Sequence, residues 1–452
     1  MSNRRVSAVV LAAGLGTRMK SDHPKVLHPV AGRPLLAHVL DAADAGGADP
    51  VVTVTGPEMA AVQDLAAPRP CAVQHERLGT AHAVAAARDA LESHGGPGDD
   101  VLVLFGDTPL ITPATLEAML AARRGADDPA VVVLGFRPAD PGRYGRLVTD
   151  AAGRLERIVE VHDATPEETT IELCNGGVMC VDGAVLFDLL DRVDNTNAKG
   201  EYYLTDLVAL ARGDGRACAV VEGDATELQG VDSRAGLAAA EAAMQDRLRA
   251  AAMAGGATLT APETVFLARD TVLGRDTIVE PHVVFGPGVT VADGATVHAF
   301  SHLEGAHVES GAAVGPYARL RPGTRVERDA RVGNFVETKK ATIEAGAKVP
   351  HLTYAGDATV GEKANVGAGT ITCNYDGFNK GTTRIGAGAF IGSNTALVAP
   401  VSVGDAAVVG AGSTITSDVP ADALAVARGR QETREGGAAR LRARKQAERD
   451  KE

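Results

Sequence analysis

A glycine-rich segment near the start of the chain combines small residues with two cations. It reads Leu11-Ala12-Ala13-Gly14-Leu15-Gly16-Thr17-Arg18-Met19 and is followed by Pro24-Lys25. Glycines let backbone N–H groups approach an anion closely, while Arg18 and Lys25 supply charge for several phosphate oxygens. The segment lacks the third glycine of the dinucleotide fingerprint and the Gly-Lys-Ser/Thr of a P-loop. The pattern predicts a phosphate-binding loop, with a plain strand-to-helix turn as the alternative.

A second candidate is Asp107, which follows Phe105-Gly106 at the end of the apolar run Val101–Phe105. Magnesium prefers hard oxygen ligands and usually keeps one or two carboxylates together with substrate phosphates. An aspartate after a strand can also cap the next helix. Because Asp107 accompanies a phosphate loop, we interpret it as a metal ligand.

A polar cluster lies in the second half of the chain. Arg321 and Lys339 can clamp a sugar phosphate through charge-assisted hydrogen bonds. His351 could remove a proton from an attacking amine, since the ordinary pKa of histidine is near neutrality. A purely structural histidine is the alternative.

The elements that position the first two candidates alternate between strand-like and helix-like segments, up to about residue 230. The predicted strands include Val6–Leu11, Val51–Thr55 and Val101–Phe105, and the predicted helices include Pro34–Ala45, Gly79–Ser93 and Thr112–Arg124. Such alternation predicts an α/β, Rossmann-like domain with a mostly parallel sheet, whose ligands bind at the carboxyl ends of the strands. Ser233–Ala254 is rich in alanine and predicts a helix that bridges to the remainder.

Beyond Gly255 the chain has a period of six residues. Aliphatic or aromatic residues recur at that spacing in three runs: Leu273, Val279, Phe285, Val291, Val297 and Leu303; Val308, Val314, Leu320, Val326 and Val332; Ile385, Ile391, Leu397, Val403, Val409 and Ile415. This period predicts a parallel β-helix of hexapeptide repeats, in which stacked coils share an apolar column. The period breaks at Cys373–Arg384, which predicts a loop that projects from the β-helix.

Composition limits the classes of function. The net charge of −13 argues against binding to nucleic acid. Five cysteines without a CxxC pair are typical of reduced cytosolic thiols. Because no apolar run approaches the ~18 residues of a membrane span, we expect a cytoplasmic protein without a membrane partner.

The motifs together resemble a known family. Thr17-Arg18-Met19 with Pro24-Lys25 resembles the signature of sugar-1-phosphate nucleotidylyltransferases, and Gly367–Gly377 with Lys380 resembles an acetyltransferase loop. Over nearly all of residues 4–432 the sequence is similar to the bifunctional N-acetylglucosamine-1-phosphate uridylyltransferase / glucosamine-1-phosphate N-acetyltransferase family. The resemblance implies a nucleotidyltransferase domain followed by a left-handed β-helix. It also implies a homotrimer with acetyl-CoA sites between subunits.

We divide the chain accordingly into four parts. Residues 1–232 form the uridylyltransferase domain, 233–254 a helical linker, 255–427 the acetyltransferase β-helix and 428–452 a charged tail. The implied reactions are acetylation of glucosamine-1-phosphate by acetyl-CoA, then transfer of UMP from UTP to N-acetylglucosamine-1-phosphate, with Mg²⁺ as cofactor.

The resemblance also implies roles for individual residues. UDP-N-acetylglucosamine would contact Leu11, Ala12, Ala13, Gly14, Lys25, Gln74, Gly79, Thr80, Phe105, Gly106, Asp107, Gly145, Glu160, Asn175 and Asp232, with Gln74 on the uracil. Arg18 and Lys25 would act in uridylyl transfer, and Asp107 and Asp232 would bind magnesium. The family usually has Asn where this chain has Asp232, so metal binding could tighten, or the extra charge could repel phosphates.

In the β-helix, His351 would be the general base. Glucosamine-1-phosphate would contact Arg321, Lys339, Tyr354 and Asn365, and acetyl-CoA would contact Ala368, Asn374, Tyr375, Lys380, Ser393, Ala411 and Arg428. Cys373 would be a packed thiol, because direct transfer needs no acyl-enzyme. Two alternatives remain open at this stage: a single-activity nucleotidylyltransferase with a structural or regulatory β-helix, and a non-catalytic assembly protein.

Overall fold

The computed structural model describes residues 4–151 and 153–451. Within them the chain divides into two compact units, the first ending at Leu248 and the second beginning at Arg249. This division falls inside a long helix, Arg234–Ala254, which occupies the stretch where the sequence predicts a linking helix. The four-part division by residue number stays a prediction.

The first unit alternates strands and helices. In chain order they are β1 (Val6–Leu11), β2 (Pro29–Val30), β3 (Arg33–Pro34), α1 (Leu35–Ala45), β4 (Val51–Thr55), α2 (Ala60–Ala66), β5 (Cys71–Val73), α3 (Thr80–Ala85), α4 (Arg88–Ser93), β6 (Asp100–Phe105), α5 (Pro113–Arg123), β7 (Val131–Phe136), β8 (Arg146–Thr149), β9 (Leu155–Val159), β10 (Cys174–Asp182), α6 (Leu186–Asp191), α7 (Asp206–Gly213), β11 (Cys218–Glu222) and α8 (Arg234–Ala254). Short 3-10 turns lie at Thr17–Met19, Lys25–Leu27 and Glu168–Thr170.

The main sheet of this unit has the order β11-β7-β10-β6-β1-β4-β5. Strand β10 runs antiparallel to both of its neighbours, and the other main-sheet pairs are parallel. The central strands are buried along almost their whole length, as expected for a sheet covered on both faces. Leu11 pairs with Phe105 at the carboxyl ends of β1 and β6, so the loops after these strands meet at one edge.

One predicted element is wrong in its extent. The sequence predicts one helix over Gly79–Ser93, whereas the structure has α3 and α4 in that stretch. The Ala87 N–H donates to the Val84 carbonyl at 3.0 Å, a tighter i→i+3 bond that ends the α-helical spacing between the two helices.

The second unit is a parallel β-helix whose short strands stack into three faces. Face one contains Thr258–Leu259, Ile278–Val279, Thr296–Val297, Ala313–Val314, Arg331–Asn334, Lys348–His351, Asn365–Val366, Phe390–Ile391, Val408–Val409 and Leu424–Ala425. Face two contains Val284–Phe285, His302–Leu303, Arg319–Leu320, Ile371–Cys373, Ala396–Val398 and Thr414–Ile415. Face three contains Val272–Leu273, Thr290–Val291, Ala306–Val308, Thr324–Val326, Thr383–Ile385 and Val401–Val403. The longer strands Glu337–Ile343 and Tyr354–Val360 pass from face two to face three.

The residues of the six-residue period form the interior of these coils. All of them are buried except Leu273 in the first full coil, which is half-buried. Corners between faces need left-handed backbone, and even bulky residues adopt it there, for example Phe300 (φ 59°) and Leu352 (φ 50°).

Two segments leave the coil pattern. Residues 374–382 form the predicted projecting loop, closed by a bridge between Tyr375 and Lys380, with Phe378 91% exposed at its tip. Near the end of the chain lies an exposed helix, α9 (Gly437–Arg449). Within the described part of the chain, no helix is both long and apolar enough to cross a membrane.

Candidate functional site

The glycine-rich loop after β1 borders a cleft at the carboxyl edge of the first sheet. The cleft has a volume of about 260 Å³. It is lined by Leu11, Ala12, Ala13, Gly14, Lys25, Val26, Gln74, Arg77, Gly79, Thr80, Ala83, Phe105, Asp107 and Glu201. The structure thus brings together ten of the fifteen residues predicted to bind the nucleotide sugar.

The predicted cations of this loop are paired with the predicted metal ligands. Lys25 Nζ contacts Asp107 Oδ2, and Arg18 Nη1 lies 2.5 Å from Asp232 Oδ2. The Val231 N–H donates to the Asp107 carbonyl at 2.8 Å, which brings the two aspartates to neighbouring backbone positions. The extra charge of Asp232 is therefore balanced by Arg18.

These two aspartates fit a magnesium ion that is completed by substrate. Among the residues that the structure describes, no group of three or more His, Cys, Asp or Glu side chains could hold a metal by itself. Two adjacent carboxylates are the donor set that Mg²⁺ usually takes from protein when phosphates supply further oxygens. Asp107 and Asp232, at neighbouring backbone positions, offer two carboxylates for such an ion.

The residues predicted to hold the sugar form a second group. The Asn175 N–H donates to the Gly145 carbonyl at 2.8 Å, and a Cβ at Gly145 would lie 3.5 Å from Glu160 Oε1. Burial raises the pKa of the Glu160 carboxyl, an effect opposed by the nearby charge of Lys199. Gly177, whose N–H donates to Asn175 Oδ1, lies against the Phe105 ring, so this group adjoins the cleft.

Sequence reasoning missed Arg77, which also lines the cleft, and gave no catalytic role to Glu201, another lining residue. The Arg77 Nε–H donates to the Ala13 carbonyl at 2.8 Å, a contact between residues 64 positions apart. Arg77 follows Gln74 closely in the sequence, and that proximity is the one signal that could have suggested it.

In the second unit, His351 is oriented by a neighbour on the preceding coil. Its Nδ1 lies 2.6 Å from Asn334 Oδ1, and the two residues are register partners on face one. Since the amide oxygen only accepts, Nδ1 is the donor, and in the neutral ring Nε2 then carries the lone pair. Asn334 was not predicted, although its spacing of 17 residues from His351 equals about one coil.

Three cations meet beside face two. The charges of Lys380 and Arg321 lower the pKa of Lys339, so the three side chains lie near one another. Arg321 Nη1 also donates to Glu337 Oε1 at 2.9 Å. The sequence assigned Lys380 to acetyl-CoA, whereas the structure groups it with the predicted sugar-phosphate residues Arg321 and Lys339.

Other predicted residues lie on either side of this cluster. A Cβ at Gly356 would collide with the Tyr354 hydroxyl and lie 2.8 Å from Asn374 Nδ2, so Tyr354 and Asn374 are neighbours. Asn374 Nδ2 donates to Asp357 Oδ2 at 2.6 Å, and Tyr375 is 61% exposed.

The remaining acetyl-CoA candidates are stacked along one corner. The Asn394 N–H donates to the Ala368 carbonyl, the Gly412 N–H to the Ser393 carbonyl and Arg428 Nη1 to the Ala411 carbonyl. Asn365 lies on a different face from Tyr354: it occupies an outer position of face one, while Tyr354 belongs to face two.

Comparisons with known proteins find family matches in both units and relatives that match almost the whole chain. Residues 8–165 match the model of the MobA-like NTP transferase domain, and residues 382–417 match the hexapeptide repeat of succinyl-transferase. Curated relatives named "Bifunctional protein GlmU" include one from Paramagnetospirillum magneticum, 60% identical with 100% of each chain covered, and one from Azorhizobium caulinodans, 61% identical with 98% of each covered. Another, from Rhodospirillum rubrum, is 64% identical over 97% of this chain and 98% of the relative.

A solved structure of UDP-glucose pyrophosphorylase complexed with UDP-glucose is also similar. It aligns with 54% of this chain and 99% of its own at a TM-score of 0.45 and 17% identity.

Proposed function

The chain belongs to the family of bifunctional GlmU proteins, and from this premise we propose how its residues perform the two reactions. It is a bifunctional uridylyltransferase and acetyltransferase, with a nucleotidyltransferase domain followed by a left-handed β-helix of hexapeptide repeats. Nothing favours the single-activity alternative, since relatives match over both units. The assignments of residues that follow are our proposal.

In uridylyl transfer, the first unit binds and orients two anions. Gln74 recognises the uracil, while the backbone around Gly14 and the cations Arg18 and Lys25 hold the phosphates of UTP. A phosphate oxygen of N-acetylglucosamine-1-phosphate attacks the α-phosphorus, the bond to the bridging oxygen breaks, and pyrophosphate leaves. No protein nucleophile is needed, because positioning and charge neutralisation provide the catalysis.

Magnesium would be held by Asp107 and Asp232 together with substrate phosphates. When bound, it supplies positive charge against the phosphate oxygens. Lys25 and Arg18, which pair with these aspartates, then become available to the phosphates.

In acetyl transfer, His351 Nε2 takes a proton from the amine of glucosamine-1-phosphate. The amine nitrogen attacks the thioester carbonyl of acetyl-CoA, the C–N bond forms and the C–S bond breaks. The coenzyme A sulfur leaves as thiolate and is protonated. The observation that carries this proposal is the Asn334 contact at 2.6 Å, since it leaves Nε2 free to act as the base.

We assign Lys380 to the sugar phosphate rather than to acetyl-CoA. Its closeness to Lys339 and Arg321 gives three cations in one place, an arrangement suited to a phosphate dianion. Asn374 and Tyr375 remain beside the thioester, and the Ala368–Ser393–Ala411–Arg428 corner remains the path of the coenzyme.

We also propose a homotrimer in the cytoplasm. Asn365 and Tyr354 belong to different faces of one β-helix, and a second copy that supplies one of them would bring both to a single glucosamine-1-phosphate. Flat faces of a β-helix are suited to cyclic assembly. The substrates UTP and acetyl-CoA are those of a cytoplasmic enzyme.

The test is thiol release from acetyl-CoA on mixing the protein with glucosamine-1-phosphate, with Lys380→Ala compared with Lys363→Ala. Lys363 is an exposed lysine that pairs with Glu362 and has no assigned role in either reaction, so it serves as the control. We expect Lys380→Ala to raise the KM for glucosamine-1-phosphate by about tenfold and to leave the KM for acetyl-CoA unchanged. A raised KM for acetyl-CoA with an unchanged KM for glucosamine-1-phosphate would contradict this assignment and show that Lys380 binds the coenzyme.

A further inference from the structure

Arg77 is the cation of the nucleotide cleft that no predicted role includes. Its side chain is exposed and lines the cleft next to Gly14 and Gln74. Lys25 and Arg18 pair with Asp107 and Asp232, but within the described ranges Arg77 forms no ion pair with a carboxylate. The Arg77 charge is therefore not paired with a carboxylate of the described residues, although Glu201 also lines the cleft.

The guanidinium is held at a defined place. Nε donates to the Ala13 carbonyl at 2.8 Å. On its other side the guanidinium lies against Gly56, where an added Cβ would overlap Nη2 and approach Cζ to 3.1 Å. The absence of a side chain at Gly56, directly after β4, thus makes the space that Arg77 occupies.

The Ala13 contact controls the direction of a peptide group. In a trans peptide the carbonyl and the following N–H point to opposite sides, so fixing the Ala13 carbonyl fixes the Gly14 N–H. The two residues before Ala13 are already held in the sheet by backbone hydrogen bonds. The Leu11 carbonyl accepts from the Gly106 N–H, and the Ala12 N–H donates to the Val54 carbonyl. The Gly14 N–H has no partner among the described residues and borders the cleft, so it is available to an anion.

We propose that Arg77 is a positioning residue for UTP: it fixes the Ala13–Gly14 peptide so that the Gly14 N–H meets a phosphate oxygen, and Gly56 provides the space it needs. This inference rests on the proposed uridylyl transfer. It adds to that function a determinant of nucleotide affinity that is distinct from the magnesium site.

The test uses the full-length protein and pyrophosphate release with UTP, Mg²⁺ and N-acetylglucosamine-1-phosphate. We expect Arg77→Ala to lower kcat/KM for UTP by about 10- to 100-fold, mainly through KM, as for loss of a charge-assisted hydrogen bond. The KM for N-acetylglucosamine-1-phosphate and the thermal unfolding midpoint should stay within experimental error. Arg192→Ala, which removes a surface ion pair with Asp214, is the control.

Gly56→Ala tests the mechanism without removing any charge. The clashing atoms are the far end of a flexible side chain, so the variant can fold while Arg77 is displaced. We expect the same rise in KM for UTP as in Arg77→Ala, and no further rise in the double variant. Gly213→Ala, where the added carbon meets open space, is the matched control.

Three results would overturn the inference: an Arg77→Ala variant equal to wild type, equal losses for both substrates, or additive losses in the double variant. A wild-type protein that releases no pyrophosphate would instead contradict the proposed uridylyl transfer itself.

Discussion

At the scale of single residues, the structure shows which side chain pairs with the charge of Asp232, the position where the resemblance led us to expect Asn. Arg18 lies 2.5 Å from its carboxylate, so the added negative charge is compensated before any phosphate arrives. This pairing offsets the charge that would repel substrate phosphates, and we expect the other consequence, tighter metal binding by the carboxylate.

A direct prediction concerns the magnesium requirement. Asp232→Asn should raise the Mg²⁺ concentration for half-maximal pyrophosphate release by about threefold to tenfold, because an amide is a weaker ligand for a hard cation than a carboxylate. A magnesium titration of wild type and variant measures this, with Asp191→Asn, an exposed partner of Arg88, as control. An unchanged or lower requirement would contradict the interpretation.

A second prediction concerns the orientation of His351. Asn334→Ala removes the acceptor of the Nδ1–H at 2.6 Å and leaves the ring free to turn. We expect kcat for thiol release to fall by about tenfold, less than the ~100-fold or greater loss for His351→Ala. The KM for acetyl-CoA should not change. Equal activity of Asn334→Ala and wild type would show that this contact does not position the base.

The residue-level site could be predicted only where the chemistry is local in sequence. Lys25 and Asp107 stand in short motifs whose residue types suit phosphate and metal. Arg77 and Asn334 contact their partners across 64 and 17 positions, and such contacts depend on the folded path of the chain.

At the scale of elements, the hexapeptide column carries the stability of the second unit. Strand Phe390–Ile391 has one side chain inside the coil and one outside: Ile391 is 0% exposed and Phe390 is 49% exposed. Ile391→Ala should reduce the free energy of unfolding by about 2–5 kcal/mol, because it leaves a cavity in the column.

Denaturant unfolding of the second unit measures this effect, and Phe390→Ala is the matched control in the same strand. We expect Phe390→Ala to cost less than half as much, since its ring already contacts solvent. Equal losses for the two variants would mean that the column does not dominate the stability of the coils.

A pH effect is expected at the start of α7. Burial raises the pKa of Asp206 to about 6, and the nearby carboxylates of Asp194, Glu160 and Asp163 add to the rise. Since the folded-state pKa exceeds the unfolded value of about 3.9, ionisation costs stability. The contribution of Asp206 is thus most favourable below about pH 4 and is lost as the pH rises through about 6.

Thermal unfolding between pH 4 and pH 7 checks this sign. Relative to Asp206→Asn, the wild-type midpoint should fall as the pH is raised to about 6 and then level off. Parallel curves for the two proteins would contradict the account of this carboxyl.

The prediction of helices and strands succeeded where one sequence period is repeated over many residues. It failed where a single backbone hydrogen bond ends a helix. The six-residue period located the buried column because every coil repeats it. The break between α3 and α4 depends on one i→i+3 bond at Ala87, which an alanine-rich stretch does not reveal.

At the scale of the whole molecule, two units with separate cores carry two chemistries. The cleft with Asp107 lies in the unit that ends at Leu248, and His351 lies in the unit that begins at Arg249. Inactivation of one site should therefore leave the chemistry of the other intact, and the acetylated sugar phosphate should pass between them through solvent.

The most direct test follows both products, thiol and pyrophosphate, for wild type, His351→Ala and Asp107→Asn. With N-acetylglucosamine-1-phosphate, UTP and Mg²⁺ supplied, His351→Ala should release pyrophosphate at the wild-type rate while it releases no thiol from acetyl-CoA and glucosamine-1-phosphate. Asp107→Asn should show the opposite pattern. Loss of both products in either folded variant, or thiol release by His351→Ala at the wild-type rate, would contradict two independent sites built on these residues.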